Sequence, residues 1–314
     1  MRPFRIALAC LALATAAAAQ PAPKYWYAWS PRPDTPTAYS GVNRPVWRLA
    51  ELLAAHKGQA DWSQEVVHTE RYSARWIQMA PGKKTRPQFY GDDRTVWVVW
   101  SGQVRFTIDG QKPFIARKGF LVQAPYRVAY SMETVGNEPS LRFEVTHTGR
   151  LPSYPSDAAD KDKPAAVKGM HYEKVTYPSP PDTYTTQNPI VVNFFKDVVA
   201  AHPNDPPKQH RFVEDGDNMV DILRGRGVPT PPPTNRGHFH IGYDEFWFVL
   251  EGKIEYLIEG QKLISAMPGD IVYAAPGRWH RAAWAGDGMA TRLAFNVRPA
   301  MFHNYGENAQ GRQR

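Results

Sequence analysis

Two histidines stand one residue apart in the stretch GHFHIGYDEFWFVLEG, and a glutamate follows five residues after the second. They are His238, His240 and Glu245. Alternate side chains of a β-strand share a face, so the two imidazoles can converge on one metal ion, with Cα atoms roughly 6.5 to 7 Å apart. Glu245 would point the wrong way in an unbroken strand. We therefore expect a turn or bulge near Gly242 that returns its carboxylate to the same ion.

A fourth candidate ligand lies in the next hairpin, in the sequence GDIVYAAPGRWH, which ends at His280. A turn at Gly277 would return His280 to the sheet so that it faces the first three ligands. Three neutral imidazoles and one carboxylate around a divalent ion leave a net charge of about +1 and open coordination positions. Such a site can act as a Lewis acid or as a redox centre.

The chain contains an internal repeat. Residues 101–125 align without gaps with residues 251–275, at an offset of 150 residues, and residues 50–56 resemble residues 196–202 at an offset of 146. Self-similarity over so long a period indicates a duplicated structural unit. Two copies are too few for a solenoid, so we expect two homologous domains.

Both units have the pattern of an all-β fold. Short runs rich in Val, Ile and aromatic residues are separated by glycine turns, which favours a sandwich or a barrel. The clearest predicted strands are residues 96–100, 103–108, 246–250 and 253–258. A short helix is predicted before each unit from apolar residues at helical spacing. The predicted helices are residues 46–56, with Val46, Leu49, Leu52 and Leu53 on one face, and residues 191–202, with Val192, Phe195, Val198 and Val199.

The ligand pattern resembles the two-part signature of the cupin superfamily. The pattern H-x-H-x4-E-x6-G is followed by G-x5-P-x-G-x2-H, with Ala275 in the place of the proline and Trp284 where asparagine is common. The resemblance and the duplication together imply a bicupin. The implied fold is all-β, with two tandem jelly-roll barrels, a few short helices and metal ligands at His238, His240, Glu245 and His280.

The first repeat keeps this outline without the ligands. At an offset of 150, Gln88, Tyr90, Thr95 and Tyr130 take the places of the four ligands. We therefore expect a degenerate N-terminal cupin that holds no metal. Gln88, Tyr90, Tyr130 and Arg127 could alternatively form a metal-free pocket.

Three aromatic or basic residues are candidates for a substrate pocket. Trp247 lies two residues after Glu245, so its side chain is expected on the same inward face of the strand. Arg278 and Trp279 directly precede His280. They could hold an anionic or aromatic substrate; a core position for Trp247 and solvent exposure for the other two are the alternatives. Glu245 is also the candidate catalytic base.

The N-terminus resembles a signal peptide, with two arginines, a short apolar run and small residues before Gln20. It contains the single cysteine, so a cleaved chain would have no disulfide. We predict a periplasmic or secreted protein. The predicted organisation is a signal peptide at 1–19, an aromatic and proline-rich arm at 20–45, an N-terminal cupin at 46–148, a linker at 149–189, a C-terminal cupin at 190–300 and a polar tail at 301–314.

The charge pattern does not favour nucleic-acid binding. The formal charge of +8 comes from 38 basic and 30 acidic residues, which are interspersed and form no basic stripe. The expected partner is a small-molecule substrate, with no nucleic acid and no membrane after signal cleavage, and a homodimer is possible. The arm could bury its aromatic rings against the barrels or a second subunit.

The resemblance implies three functional hypotheses. The first is a mononuclear dioxygenase-like oxygenase acting on a small organic substrate, possibly phenolic. The second is a metal-dependent lyase, isomerase or decarboxylase without redox change. The third is a non-catalytic cupin that binds a small molecule or carbohydrate. The candidate ion is Cu, Zn, Fe, Mn or Ni, and copper is favoured for an exported oxygenase by the affinity order of divalent metals.

Overall fold

The structure is a computed structural model of the 314-residue chain. It describes residue 29 and residues 32–155, 163–204, 208–227, 229–230 and 237–297. The predicted signal peptide and the polar tail lie outside the described residues.

Each repeat contributes a series of short strands in the same order. The strands of the first repeat are β1 (Val46–Trp47), β2 (Trp62–His68), β3 (Tyr72–Met79), β4 (Thr95–Ser101), β5 (Gln103–Ile108), β6 (Phe114–Ala116), β7 (Phe120–Ala124), β8 (Tyr130–Val135) and β9 (Ser140–His147). Those of the second are β10 (Val191–Asn193), β11 (Lys208–Glu214), β12 (Asn218–Gly225), β13 (Pro229–Thr230), β14 (Glu245–Glu251), β15 (Lys253–Ile258), β16 (Ile264–Ala266), β17 (Ile271–Ala274), β18 (His280–Ala285) and β19 (Ala290–Val297).

The strands form two antiparallel barrels, which confirms the predicted all-β fold of tandem jelly rolls. In the N-terminal barrel a sheet in the order β10-β7-β4-β9-β3-β2 faces a smaller sheet, β6-β5-β8. In the C-terminal barrel the order β1-β17-β14-β19-β12-β11 faces β13-β18-β15-β16. The two topologies are equivalent except for the additional two-residue strand β13, as expected for a duplication.

The first strand of each repeat belongs to the sheet of the other barrel. Val46 of β1 pairs with Val272 of β17, and Val191 of β10 pairs with Val122 of β7. The segments before these strands are exchanged as well. The Tyr39 hydroxyl donates to the Tyr273 carbonyl at 3.1 Å, and the Tyr184 hydroxyl donates to the Gln123 carbonyl at 3.1 Å. These are corresponding contacts of the two repeats, so each barrel is completed by the other repeat.

The exchange shortens both predicted helices. The helices observed are α1 (Leu49–Ala55) and a seven-residue π-helix, α2 (Phe194–Ala200), because the residues before them pair as strands. Leu49 and Leu52 are buried as expected, but Leu53 is 41% exposed and Phe195 is 46% exposed. The predicted apolar faces were therefore wrong at these two positions. Among the described residues, no helix is long and apolar enough to cross a membrane.

Aromatic side chains from both barrels form a shared core. Phe248 of β14 packs against Trp76 and Phe143 of the N-terminal barrel, with ring centroids 5.5 and 5.2 Å apart. Because side chains alternate along a strand, the neighbours of these residues point into their own barrels. One face of each larger sheet therefore joins the barrels, and the other lines a barrel interior.

Each barrel places a charged residue against a turn of the other repeat. The residue is basic in the N-terminal barrel and acidic in the C-terminal barrel. Arg94, in the N-terminal barrel, pairs with Asp215 in the turn between β11 and β12 at 2.8 Å. At the equivalent place in the other barrel, Asp244 interacts with Thr69 and Arg71 in the turn between β2 and β3. Burial, the largest influence, raises the pKa of Asp244 to about 6, although hydrogen bonds from its own backbone and from Thr69 oppose this shift.

Replacing Asp244 by asparagine should stabilise the protein at neutral pH by about 1–3 kcal/mol, because the variant buries no charge. The folded-state pKa lies above the ordinary value of 3.8. The folded protein therefore binds more protons than the unfolded chain between about pH 4 and 6, and its stability falls as the pH rises through this window. Urea unfolding should show no advantage of Asp244→Asn near pH 4 and the full advantage above about pH 7. An advantage that does not vary with pH would contradict this account.

Candidate metal centre

The two halves of the candidate site are joined by backbone hydrogen bonds. His238 and His280 form an antiparallel bridge, in which each amide N–H donates to the carbonyl of the other residue at 3.0 and 2.8 Å. The Gly277 N–H donates to the His240 carbonyl at 2.7 Å. The turn at Gly277 therefore brings His280 beside the two other histidines, as the sequence predicts.

The chain turns between His240 and Glu245. Gly242 has φ = +76°, in the left-handed region that a side chain disfavours, and β14 begins at Glu245. Because of this turn, Glu245 is the first inward-facing residue of β14. The expected departure from a straight strand is confirmed.

The ligand atoms of all four residues converge. His240 Nε2 lies 3.0 Å from Glu245 Oε2, His280 Nε2 lies 3.3 Å from the same oxygen, and His238 Nε2 lies 3.2 Å from His280 Nε2. One candidate ligand atom from each residue lies within 4.8 Å of the others. His240, Glu245 and His280 are buried, and His238 is half-buried. The residues thus present three imidazole nitrogens and a carboxylate to one point, a donor set suited to a divalent transition metal.

The atoms of these side chains that face away from the centre are held by other groups. The Tyr243 hydroxyl lies 2.7 Å from His240 Nδ1, the Arg278 carbonyl lies 3.0 Å from His280 Nδ1, and Asn296 Nδ2 donates to Glu245 Oε1 at 3.2 Å. A histidine that binds a metal through Nε2 carries its hydrogen on Nδ1, where it can donate to such a partner. These contacts orient three of the four candidate ligands.

Burial and hydrogen bonding keep Glu245 and His280 in the protonation states that a metal requires. Burial raises the pKa of Glu245, but its contacts with His240 and His280 outweigh burial and hold this pKa well below its usual range. Burial lowers the pKa of His280 despite the opposing effect of Glu245. At neutral pH the glutamate is therefore charged and His280 is neutral. Metal ligands need these states.

The three candidate pocket residues have different surroundings. Trp247 is buried and faces the barrel interior, where its ring centroid lies 5.2 Å from that of His280. Arg278 is also buried, and it donates to the carbonyls of Glu259 and Thr37. Trp279 is buried, with its backbone N–H donating to Glu259. Trp247 thus adjoins the candidate ligands, whereas Arg278 and Trp279 make structural contacts, and a role in substrate binding stays a prediction for all three.

The arm of the first repeat supports the outer side of this site. Arg32 pairs with Glu259, donates to the Gly277 carbonyl at 2.9 Å and lies 4.3 Å over the ring of Phe239, the residue between His238 and His240. A segment exchanged from the other repeat therefore contacts both chain segments that carry the histidines.

The equivalent place in the N-terminal barrel holds a neutral hydrogen-bonded cluster. Gln88 Nε2 donates to the Tyr130 hydroxyl at 3.3 Å, and Thr95 Oγ1 lies 3.4 Å from the same oxygen. Tyr130 is buried, and burial raises its pKa well above the usual value, so it stays protonated. Within the described part of the chain, the four residues of the C-terminal barrel are the only group found with the composition and spacing of a metal site.

Two residues that contact the candidate ligands are not marked by the sequence pattern. Asn296 and Tyr243 are not part of the histidine and glutamate pattern, and Tyr243 lies in the turn expected near Gly242. Asn296 could have been identified, because the alternation of side chains along the last strand places it on the face that points into the barrel. The contact of Tyr243 with His240 depends on the conformation of the turn, which the sequence does not specify.

Comparison with known proteins supports a cupin assignment. Residues 230–296 match the family model described as Cupin domain. No curated protein sequence matches the chain.

Three solved structures share its fold at low sequence identity. A salicylate 1,2-dioxygenase of Pseudoaminobacter salicylatoxidans, in complex with gentisate, has 13% identity and a TM-score of 0.57, over 83% of this chain and 84% of that one. A cupin 2 conserved barrel domain protein of Leptotrichia buccalis has 12% identity and a TM-score of 0.51, over 81% and 96%. A putative glyoxylate-induced protein of Pseudomonas aeruginosa has 17% identity and a TM-score of 0.50, over 79% and 83%.

The family match covers the barrel that carries the four candidate ligands, and the fold similarity extends over both barrels. The first barrel has the same topology without the ligands. Residues 230–296 therefore carry a cupin domain, and the chain shares its two-barrel fold with solved cupin structures, with the four candidate ligands in the second barrel and none of them at the equivalent positions of the first.

Proposed function

We propose that the protein is a mononuclear metal-dependent oxygenase of the dioxygenase type, acting on a small organic, phenolic substrate. The observation that carries the proposal is the convergence of three imidazole nitrogens and one carboxylate oxygen within 4.8 Å. Four protein ligands of this kind leave coordination positions open on a transition metal. A bound redox-active ion would bring dioxygen and an organic substrate together at those positions.

The chain's own residues would fix the geometry of this reaction. His238 is the least buried of the four ligands, so substrate would approach from its side. Glu245 is ionised, and its Oε1 accepts a hydrogen bond from Asn296. Its Oε2 therefore faces the histidines, where it would bind the metal and accept the proton of a substrate hydroxyl. Trp247, packed on His280, would form an apolar wall beside the reacting groups.

The proposal includes export and the identity of the ion. The signal-like sequence at 1–19 supports a periplasmic or secreted protein that acquires its metal outside the cytoplasm. The affinity order of divalent metals then favours copper. The proposed partner is the small-molecule substrate, with no role for nucleic acid.

Protein isolated from the periplasm should contain about one transition-metal ion per chain. His240→Ala should lose nearly all of it, because the variant removes a buried ligand from a set of four. His171→Ala is a suitable control, since His171 is exposed and lies in the linker. Elemental analysis of the three proteins checks this expectation. Equal metal content in His240→Ala and the control would rule out the site.

Tyr243→Phe should weaken metal binding about 10–100-fold, because it removes the hydroxyl beside His240 Nδ1 while keeping the ring. Tyr172→Phe, at an exposed tyrosine, controls for the loss of a hydroxyl elsewhere. Competition with a chelator of known affinity measures the effect. An unchanged affinity in Tyr243→Phe would show that this hydroxyl does not tune the ligand.

Metal-loaded protein should consume dioxygen when supplied with a substrate from a panel of phenols and organic acids. The His240→Ala variant should consume none. An oxygen electrode combined with product analysis separates the functional classes. Substrate conversion without dioxygen uptake would replace the oxygenase by a lyase, isomerase or decarboxylase. Tight retention of an unchanged compound would indicate a binding protein.

A further inference from the structure

One hairpin of the N-terminal barrel contacts both chain neighbours of the candidate ligand Glu245. Asp244 forms a side-chain hydrogen bond with Thr69, in the turn between β2 and β3. Phe246 packs edge-on against Tyr72, the first residue of β3, with ring centroids 5.6 Å apart and an interplanar angle of 79°. Glu245 is therefore flanked on both sides by contacts with the barrel that has no candidate ligands of its own.

The Tyr72 hydroxyl also reaches the residue that supports the Glu245 carboxylate. It donates to the Asn296 carbonyl at 2.7 Å, and the side chain of Asn296 donates through Nδ2 to Glu245 Oε1 at 3.2 Å. Asn296 is the second-last residue of β19, and the ends of elements open more readily than their centres. A hydrogen bond to its carbonyl therefore limits the movement of the residue that holds Glu245.

The surroundings of Tyr72 keep its hydroxyl as a donor. The residue is 2% exposed. Burial, together with the negative charges of Asp244 and Asp215, raises the pKa of Tyr72 well above its usual value, so the hydroxyl stays protonated at neutral pH. Because the contact is buried, solvent cannot readily replace the donor, and its removal would leave the Asn296 carbonyl with one hydrogen bond fewer.

The contact runs in one direction between the repeats. The residue equivalent to Tyr72 at the start of β12 is Asn218, and the residue equivalent to Asn296 on β9 is Thr146. Asn218 Oδ1 lies 2.8 Å from His147 Nε2 and 3.2 Å from the Tyr72 hydroxyl. The tyrosine thus belongs to the repeat without candidate ligands and reaches the barrel that has them, an asymmetry that matches the distribution of the ligands.

We propose that Tyr72 is a positioning residue of the metal centre, which holds the Glu245 carboxylate in place through Asn296. The inference rests on the proposed metal site and does not depend on oxygenase chemistry. One carboxylate oxygen accepts from Asn296 and the other faces His240 and His280, so a shift of Asn296 would turn the oxygen that faces the metal. The N-terminal barrel would thereby serve the centre without binding a metal itself.

The probe for this role is Co²⁺, because its visible absorption reports the geometry of its ligands and its affinity can be measured against a chelator. Tyr72→Phe keeps the ring and removes the donor. We expect Co²⁺ binding to weaken about threefold to tenfold, the range that one neutral hydrogen bond supports, and the absorption bands to shift. Tyr184→Phe is the matched control, since its hydroxyl also donates across the repeats, to the Gln123 carbonyl of the other barrel. It should change neither the affinity nor the spectrum.

A double-mutant cycle separates positioning from general stability. Asn296→Ala should weaken Co²⁺ binding about 10–100-fold, because it removes the group that orients Glu245. Adding Tyr72→Phe to this variant should cause no further loss of affinity, since the hydroxyl acts through the missing side chain. The carbonyl of residue 296 remains in both backgrounds. The loss of unfolding free energy caused by Tyr72→Phe, measured in urea, should therefore be the same with and without Asn296→Ala.

Three results would overturn the proposal. They are unchanged Co²⁺ affinity and spectrum in Tyr72→Phe, an equal effect of Tyr184→Phe, and an equal loss of affinity from Tyr72→Phe in both backgrounds of residue 296. If Tyr72→Phe does not fold, Thr69→Ala tests the same hairpin, because Thr69 Oγ1 accepts from the Tyr72 backbone N–H at 2.9 Å, and it should also weaken Co²⁺ binding. Unchanged binding in that variant would then count against the proposal.

These outcomes are distinguishable from failure of the proposed function. Wild-type protein that binds no Co²⁺ would refute the metal site and the role of Tyr72 together. Wild-type protein that binds Co²⁺ and shows the expected cycle, but consumes no dioxygen when loaded with a redox-active metal, would refute the oxygenase proposal alone.

Discussion

The alternation of side chains along two long strands is the constraint on which the rest of the structure depends. One face of β14 and β19 carries Phe248 and Phe295 into the core shared by the barrels. The opposite face carries Glu245 and Asn296 into the barrel interior, where Asn296 donates to Glu245 and Glu245 contacts His240 and His280. A shift of either strand by one residue would therefore exchange the core with the candidate site. The packing between barrels thus fixes the register of the site.

Much of the fold and of the candidate site could be predicted from the sequence, because both follow from short spacings. Alternation places His238 beside His240, and glycines mark the turns that return Glu245 and His280. The exchange of β1 and β10 could not be predicted, since Val46 and Val191 have the same local pattern whichever sheet they join. The domain boundaries drawn from the sequence also stay a prediction.

Contacts that depend on three-dimensional position were the least predictable. Arg278 is a candidate for a substrate pocket from the sequence, yet its guanidinium reaches the Thr37 and Glu259 carbonyls in segments far away in the sequence. Nothing near Arg278 in the chain indicates these acceptors.

The exchanged segments also bear on the order in which the chain can assemble during synthesis. The strand β1, which the C-terminal barrel needs, is made before any other part of that barrel. The N-terminal barrel, by contrast, must wait for β10, which follows the linker. Neither barrel can therefore reach its final set of strands until synthesis of the second repeat has begun. A fragment that ends after β9 would leave an open edge on β7, a surface prone to pairing with other chains.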